Sequence, residues 1–267
     1  MEIIILHSEA EVYNEAAKKI ISLVNRRPDA VLGLATGRTM LGIYEALIDA
    51  YQKGRVNFSS VVTINLDEYL GLSPDDPRSF HYYMRDHFFN HVNIEQENQL
   101  IPDPLPEDVE KECENYEKAI KKRRGIDLQL LGIGKDGHIG FNEPSSSLQA
   151  RTRVKTLTDE TLKDNFGSMD GPRFAITMGI GTIMEAKEIV LVALGKEKAD
   201  AVSRAVEGPV TASCPASALQ LHPVAKVIID KDAAQLLKRK DYYIWVWEHK
   251  KQVEKPHLLY KKRRDVS

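Results

Sequence analysis

Short apolar segments rich in β-branched residues recur along the chain, and most are followed by a turn and then by a stretch with helical character. Residues 31–35 (VLGLA), 61–66 (VVTINL), 126–131 (IDLQLL), 187–194 (KEIVLVAL) and 225–230 (AKVIID) read as buried strands, and MEIIIL reads as a first one. Between them, the chain from Arg38 to about residue 52 reads as a helix, and Ser79 is placed to cap a helix over FHYYMRDHFFNHV. Val109, Cys113, Tyr116 and Ile120 share one helical stripe that Gly125 ends. Gly195 precedes another helix running to Val206, and Pro215 starts a short one over ASALQL.

Strands that alternate with helices must be joined by crossovers, which makes neighbouring strands parallel. The expected fold is α/β: an open, mostly parallel, Rossmann-like sheet with helices on both faces. Residues 1–240 are assigned to one domain, and 241–267 to a C-terminal extension of undefined structure. A chain of 267 residues is long enough to bury a substantial core. Its net charge of −2 gives no bulk attraction to nucleic acid or to an anionic membrane. The basic runs at 121–124 and 261–264 read as a helix end and a solvated tail. Cys113 and Cys214 are too few for a disulfide framework, and no apolar run approaches the roughly 20 residues of a membrane helix, so a cytoplasmic setting is expected.

In such sheets ligands bind where the strands end, at their carboxyl termini. That rule selects the loops at 36–39, 67–69, 132–144 and 195–198. The third reads LLGIGKDGHIGFNEP from residue 130, and Gly132, Gly134 and Gly137 match the dinucleotide spacing G-x-G-x-x-G. That fingerprint works by aiming a helix N-terminus at a pyrophosphate. Here HIGFNEPSSS follows, which is poor helix material, so no nucleotide cofactor is expected. The loop instead gathers Asp136, His138 and Glu143 within eight residues. A carboxylate beside an imidazole fixes its tautomer and raises its basicity, a pairing suited to moving protons near neutral pH. No metal site is expected: His81, His87 and His91 lie in a helix-like run with aromatic neighbours and read as structural, and although His87 and His91 could share a face, no third ligand is evident.

The stretch LGIGKDGHIGFNEP resembles the signature of the glucosamine-6-phosphate deaminase (isomerase) family. LGLATG at 32–37, TINLDEYLGL at 63–72, ARTRVKTL at 150–157, TMGIGTI at 177–183 and ALQLHP at 218–223 resemble further family segments, in order. The likeness covers about the first 230 residues and is weak after about residue 240. It implies conversion of glucosamine 6-phosphate to fructose 6-phosphate and ammonia without metal or cofactor. Asp136, His138 and Glu143 would open the sugar ring, and Asp67 would take the C2 proton and deliver it to C1. Thr36, Gly37, Arg38, Thr39 and Lys198 would hold the phosphate. Ser146, Arg153 and Lys155 match positions at which some relatives bind an activating sugar phosphate between subunits. A homo-oligomer, hexamer or trimer, is the expected assembly, although a monomeric form occurs in the family.

Two departures stand out. Family members carry TGGTP where this chain has Thr36-Gly37-Arg38-Thr39-Met40, and Asn165 is followed at once by Phe166, without the arginine of the family's N-x-R-x-F element. Arg38 is therefore expected to replace the lost cation, since its fork suits a phosphate. Rival readings are deamination of galactosamine 6-phosphate or of an unphosphorylated amino sugar, 6-phosphogluconolactone hydrolysis, and a sugar-phosphate sensor. The glutamate in FNEP, and the absence of room for a DNA-reading segment before the first strand, weigh against the last two.

Overall fold

The structure, a computed structural model, describes residues 1–168 and 170–254. The chain begins β1 (Glu2–Leu6), α1 (Glu9–Arg26), β2 (Val31–Leu34), α2 (Arg38–Gln52), β3 (Val62–Asn65) and β4 (Asp67–Tyr69). It continues through α3 (Phe80–His87), β5 (Gln99–Leu100), α4 (Val109–Lys122), β6 (Leu128–Leu131), β7 (Arg153–Thr156) and α5 (Asp159–Phe166). It then forms β8 (Phe174–Thr177), α6 (Ile180–Met184), β9 (Ile189–Ala193), α7 (Ala199–Glu207), β10 (Ala225–Asp230) and α8 (Lys240–Glu254).

Seven strands make one sheet in the order β1-β10-β9-β6-β2-β3-β5, and every pairing in it is parallel. All residues of β2, β6 and β9 are buried, so both faces of the sheet's middle are covered, as a parallel sheet requires. The sequence runs outward from β2 through β3 to β5, then returns to β6 on the other side of β2 and runs outward through β9 to β10. The direction of winding therefore reverses between β2 and β6, and a crevice opens there at the strands' carboxyl ends. Tyr44 donates its hydroxyl to the Ala35 carbonyl at 2.5 Å, and Tyr116 donates to that of Asn65 at 2.7 Å. These bonds tie helices α2 and α4 to the rim of that crevice. At the opposite end, buried Asp127 accepts from Arg27 at 2.5 Å, Lys187 at 2.7 Å and the Val31 amide at 2.8 Å.

A second sheet, β4-β8-β7, is antiparallel and was not foreseen. The chain leaves the large sheet at Leu66, whose amide donates to the Leu34 carbonyl at 3.0 Å, and enters β4 with Asp67. Register places Asp67, Thr177 and Arg153 in one row across the small sheet. The helix expected over residues 80–92 also differs. Ser79 caps it, accepting from the Tyr82 amide at 3.0 Å, but α3 stops at His87 and a 3₁₀ turn follows at Phe89–His91. The break lets consecutive Phe88 and Phe89 both enter the core, with Phe88 stacked on Tyr44 at 4.8 Å. In the extension, α8 packs Tyr243, Ile244 and Trp247 against the main core beside β1. The basic run at 261–264 lies outside the described residues.

Candidate active site

The loop after β6 turns back on itself through glycines. Gly137 (φ 94°) and Gly140 (φ 55°) occupy the left-handed region that side chains disfavour. Gly134 is needed for space, because a Cβ there would lie 2.3 Å from the His138 ring. Gly140 lets the loop meet β4: a Cβ there would lie 3.4 Å from Asp67 Oδ2 and 3.0 Å from Thr177 Oγ1. Asp67, from the carboxyl end of β3, thus faces the loop that carries Asp136, His138 and Glu143.

Within the loop, His138 Nδ1 lies 2.7 Å from Asp136 Oδ1 and 3.7 Å from Glu143 Oε2. The shorter contact is an ion-pair approach rather than an aligned N–H···O bond, so Nδ1 has no well-formed hydrogen bond. Asp136 also accepts from the His138 amide at 3.1 Å, which closes the turn. Glu143 is buried, and its Oε1 accepts the Thr161 hydroxyl of α5 at 2.5 Å. Asn142 next to it donates to the carbonyls of Ile139 and Met178, both at 2.9 Å.

The acids are driven apart. Burial, and then the adjacent Glu68 carboxylate, push Asp67 up to about 8 against the pull of His138. Burial also raises Glu143, although the Thr161 hydroxyl and His138 oppose it. Burial works against the Asp136 charge as well, but bonding to His138 and the imidazole's charge prevail and hold its carboxyl well below the usual range. His138 is raised overall: burial disfavours its cation, and Asp136 and then Glu143 outweigh that. Carboxyl groups and an imidazole spread in this way can supply both proton donors and acceptors.

Asp136, His138 and Glu143 offer ligand atoms within 4.8 Å of one another, the kind of cluster that can hold a cation. To hold a zinc the pair would have to open, since the 2.7 Å between His138 Nδ1 and Asp136 Oδ1 is shorter than the roughly 3.3 Å between ligand atoms on a tetrahedral zinc.

The loop after β2 lies on the other side of the crevice. Gly37 (φ 105°) caps α2 with no side-chain bond, and its carbonyl accepts the Tyr83 hydroxyl at 2.8 Å. Arg38 opens α2 and is exposed, while Thr36 and Thr39 are half-buried. Lys198 follows β9. Burial lowers its pKa, and Lys135 and Arg38 lower it further against Glu197 and Asp164. Lys135 pairs with Asp164 of α5 at 2.9 Å. In the segment that lacks the family arginine, Asn165 donates to the Tyr69 hydroxyl at 2.9 Å and Phe166 packs on the Tyr69 ring.

Of the residues expected to bind an activator, Arg153 donates to Asn142 Oδ1 at 2.9 Å and so touches the loop that carries Asp136, His138 and Glu143. Lys155 lies two places on along β7, and Ser146 is buried with no partner for its hydroxyl among the described residues. Sequence reasoning missed Thr161, Thr177 and Glu68. Thr177 lay in a quoted segment, but nothing local marked it out.

The family described as glucosamine-6-phosphate isomerases/6-phosphogluconolactonase matches residues 7–228. A glucosamine-6-phosphate deaminase of Thermoanaerobacter pseudethanolicus is 51% identical over 245 residues, spanning 90% of this chain and 97% of that relative. A solved structure described as a monomeric glucosamine-6-phosphate deaminase superposes with a TM-score of 0.86 at 44% identity, covering 88% of this chain and all (100%) of that one. A 6-phosphogluconolactonase from Trypanosoma cruzi shares the fold, with a TM-score of 0.71 at 21% identity over 89% of this chain and 97% of its own. On the family match and the identity to curated deaminases, the chain belongs to the glucosamine-6-phosphate isomerase/6-phosphogluconolactonase family.

Proposed function

We propose that this chain converts glucosamine 6-phosphate to fructose 6-phosphate and ammonia, without a metal. The observation that carries this is the approach of buried Asp67 to the Gly140 turn of the loop holding Asp136, His138 and Glu143. Relatives about half identical over nine-tenths of the chain are named for this activity.

In this reading, the His138 group opens the sugar ring by removing the proton of the C1 hydroxyl and returning one to the ring oxygen. Asp136 and Glu143 orient the imidazole and stabilise its cation. Asp67 then takes the C2 proton of the open-chain aldehyde while the substrate's C2 ammonium gives up a proton to O1, leaving an enolamine between C1 and C2. Delivery of that proton to C1 leaves an iminium at C2, water adds there, and ammonia departs. A desolvated carboxylate with raised proton affinity suits the C2 step, and positioned acid–base groups of this kind contribute about 10²–10⁴-fold. The phosphate is held by the backbone after β2 with Arg38, Thr39 and Lys198, Arg38 supplying the cation that the 165–166 segment lacks. Ser146, Arg153 and Lys155 form a second anion site, coupled to the loop through Asn142.

The test is ammonia release from glucosamine 6-phosphate, galactosamine 6-phosphate and glucosamine, with and without a chelator, beside a lactone-hydrolysis control. The proposal expects glucosamine 6-phosphate to be the fastest substrate and the chelator to have no effect. Lactone hydrolysis without ammonia release, or reversible loss of turnover on chelation, overturns it.

A further inference from the structure

Glu68, next to Asp67 on β4, is fully buried and lies outside the acid–base set described above. Every bond it makes is with a donor. Oε1 accepts the Tyr69 amide at 2.7 Å and the Phe80 amide at 2.9 Å, and Oε2 accepts the His81 amide at 2.8 Å. The His81 ring adds Nδ1 at 2.7 Å from Oε2, and against a carboxylate oxygen that nitrogen is the donor. Phe80 and His81 are the first residues of α3, so the carboxylate receives the free amides of a helix N-terminus as well as an imidazole. Burying a carboxylate is costly unless its oxygens are satisfied, and here the surroundings are arranged to meet that cost. Such an arrangement is more than β4 needs in order to pair with β8.

Resting on the proposed deaminase reading, we infer that Glu68, fixed by His81 and the first turn of α3, is a positioning residue that holds Asp67 on its strand and tunes it electrostatically as the base for the C2 proton. A buried negative charge one residue away disfavours a second one on Asp67 and makes it the stronger proton acceptor. The other ionisable groups acting on Asp67 are His138 from the loop after β6, Tyr116 from α4 and Tyr69 on β4 itself. Of these only His138 brings a positive charge, and it acts in the opposite sense. Arg153 shares the register row but is engaged with Asn142.

The experiment is the pH dependence of kcat/KM for glucosamine 6-phosphate in full-length Glu68→Gln, Glu68→Met, Glu68→Asp and His81→Gln, with folding followed by circular dichroism. The neutral replacements are expected to move the acid limb down by about one pH unit, a roughly tenfold change in relative rate on that limb. Glu68→Asp and His81→Gln keep the charge and leave the limb in place. An unmoved limb in a folded neutral variant overturns the inference, as does failure of both neutral variants to fold, which assigns Glu68 to the fold alone. Asp67→Asn separates the two readings: if it is as active as the parent protein, the deaminase mechanism itself is wrong, whatever Glu68 does.

Discussion

Thr161→Val asks whether α5 takes part in the chemistry or only covers it. The Thr161 hydroxyl is buried, donates to Glu143 Oε1 at 2.5 Å and lies 3.1 Å from the Thr158 hydroxyl that caps α5. Valine keeps the branched shape and removes the donor. A hydrogen bond to a charged group contributes about 1.5–3 kcal/mol, equivalent to about 1–2 pKa units at 1.36 kcal/mol per unit. The Thr161 bond lowers Glu143, which burial has already raised, so losing it raises Glu143 further. The sign for stability follows. Glu143 has a folded pKa above its unfolded one, so its contribution is full below the unfolded value and is lost as pH rises through the folded value. Raising the folded value further makes the variant's deficit largest above the titration, where the parent protein has an ionised Glu143 held by Thr161. At about 2–4 °C per kcal/mol, Tm falls by about 3–12 °C near neutral pH and by less in acid. In ammonia-release assays, the kcat limb governed by Glu143 moves to higher pH. Identical Tm and kcat profiles for variant and parent across pH 4–9 would refute this account of the Thr161 bond.

Arg38→Ala is expected to raise KM for glucosamine 6-phosphate about tenfold or more while leaving turnover of unphosphorylated glucosamine unchanged, as expected for a charge-assisted phosphate contact; an unchanged KM removes Arg38 from the phosphate site. Asp67, raised to about 8, favours the fold when protonated, so its contribution is full below its unfolded value near pH 4 and is lost as pH rises through about 8. Melting curves of the parent protein should therefore fall across that window relative to Asp67→Asn, and parallel curves would contradict the burial assigned to Asp67.

Six of the large sheet's seven strands were legible because they are short apolar runs bounded by turns, whereas the edge strand β5 is only Gln99–Leu100 and left no pattern; the carboxyl-end rule led directly to the loops at 36–39 and 132–144. Asp136, His138 and Glu143 lie close enough in sequence for one loop to gather them. The small sheet left no such trace. β4 spans only Asp67–Tyr69, with two acids among its residues, and β7 (RVKT) is half exposed. The partners of β4 on β8 lie over 100 residues away, so pairing, rather than any local pattern, makes both strands. Glu68 lay in the TINLDEYLGL segment but was passed over, because apart from the neighbouring Tyr69 amide its donors come from α3, 12 and 13 residues further on. His81 was read as structural, and its contact with Glu68 gives it a definite partner. The break after α3 depended on Phe88 and Phe89 both being wanted by the core, which helical periodicity does not register.

The central claim is that the carboxylate of Asp67 moves the C2 hydrogen while the His138 loop handles the ring. It is tested most directly with glucosamine 6-phosphate deuterated at C2, comparing the parent protein with Asp67→Asn for ammonia release and for deuterium at C1 of the fructose 6-phosphate formed. The account predicts some label carried from C2 to C1 by the parent protein, and an Asp67→Asn variant that is folded but slower by about 10²–10⁴-fold. A folded Asp67→Asn variant that releases ammonia at the parental rate and still transfers the label would contradict it.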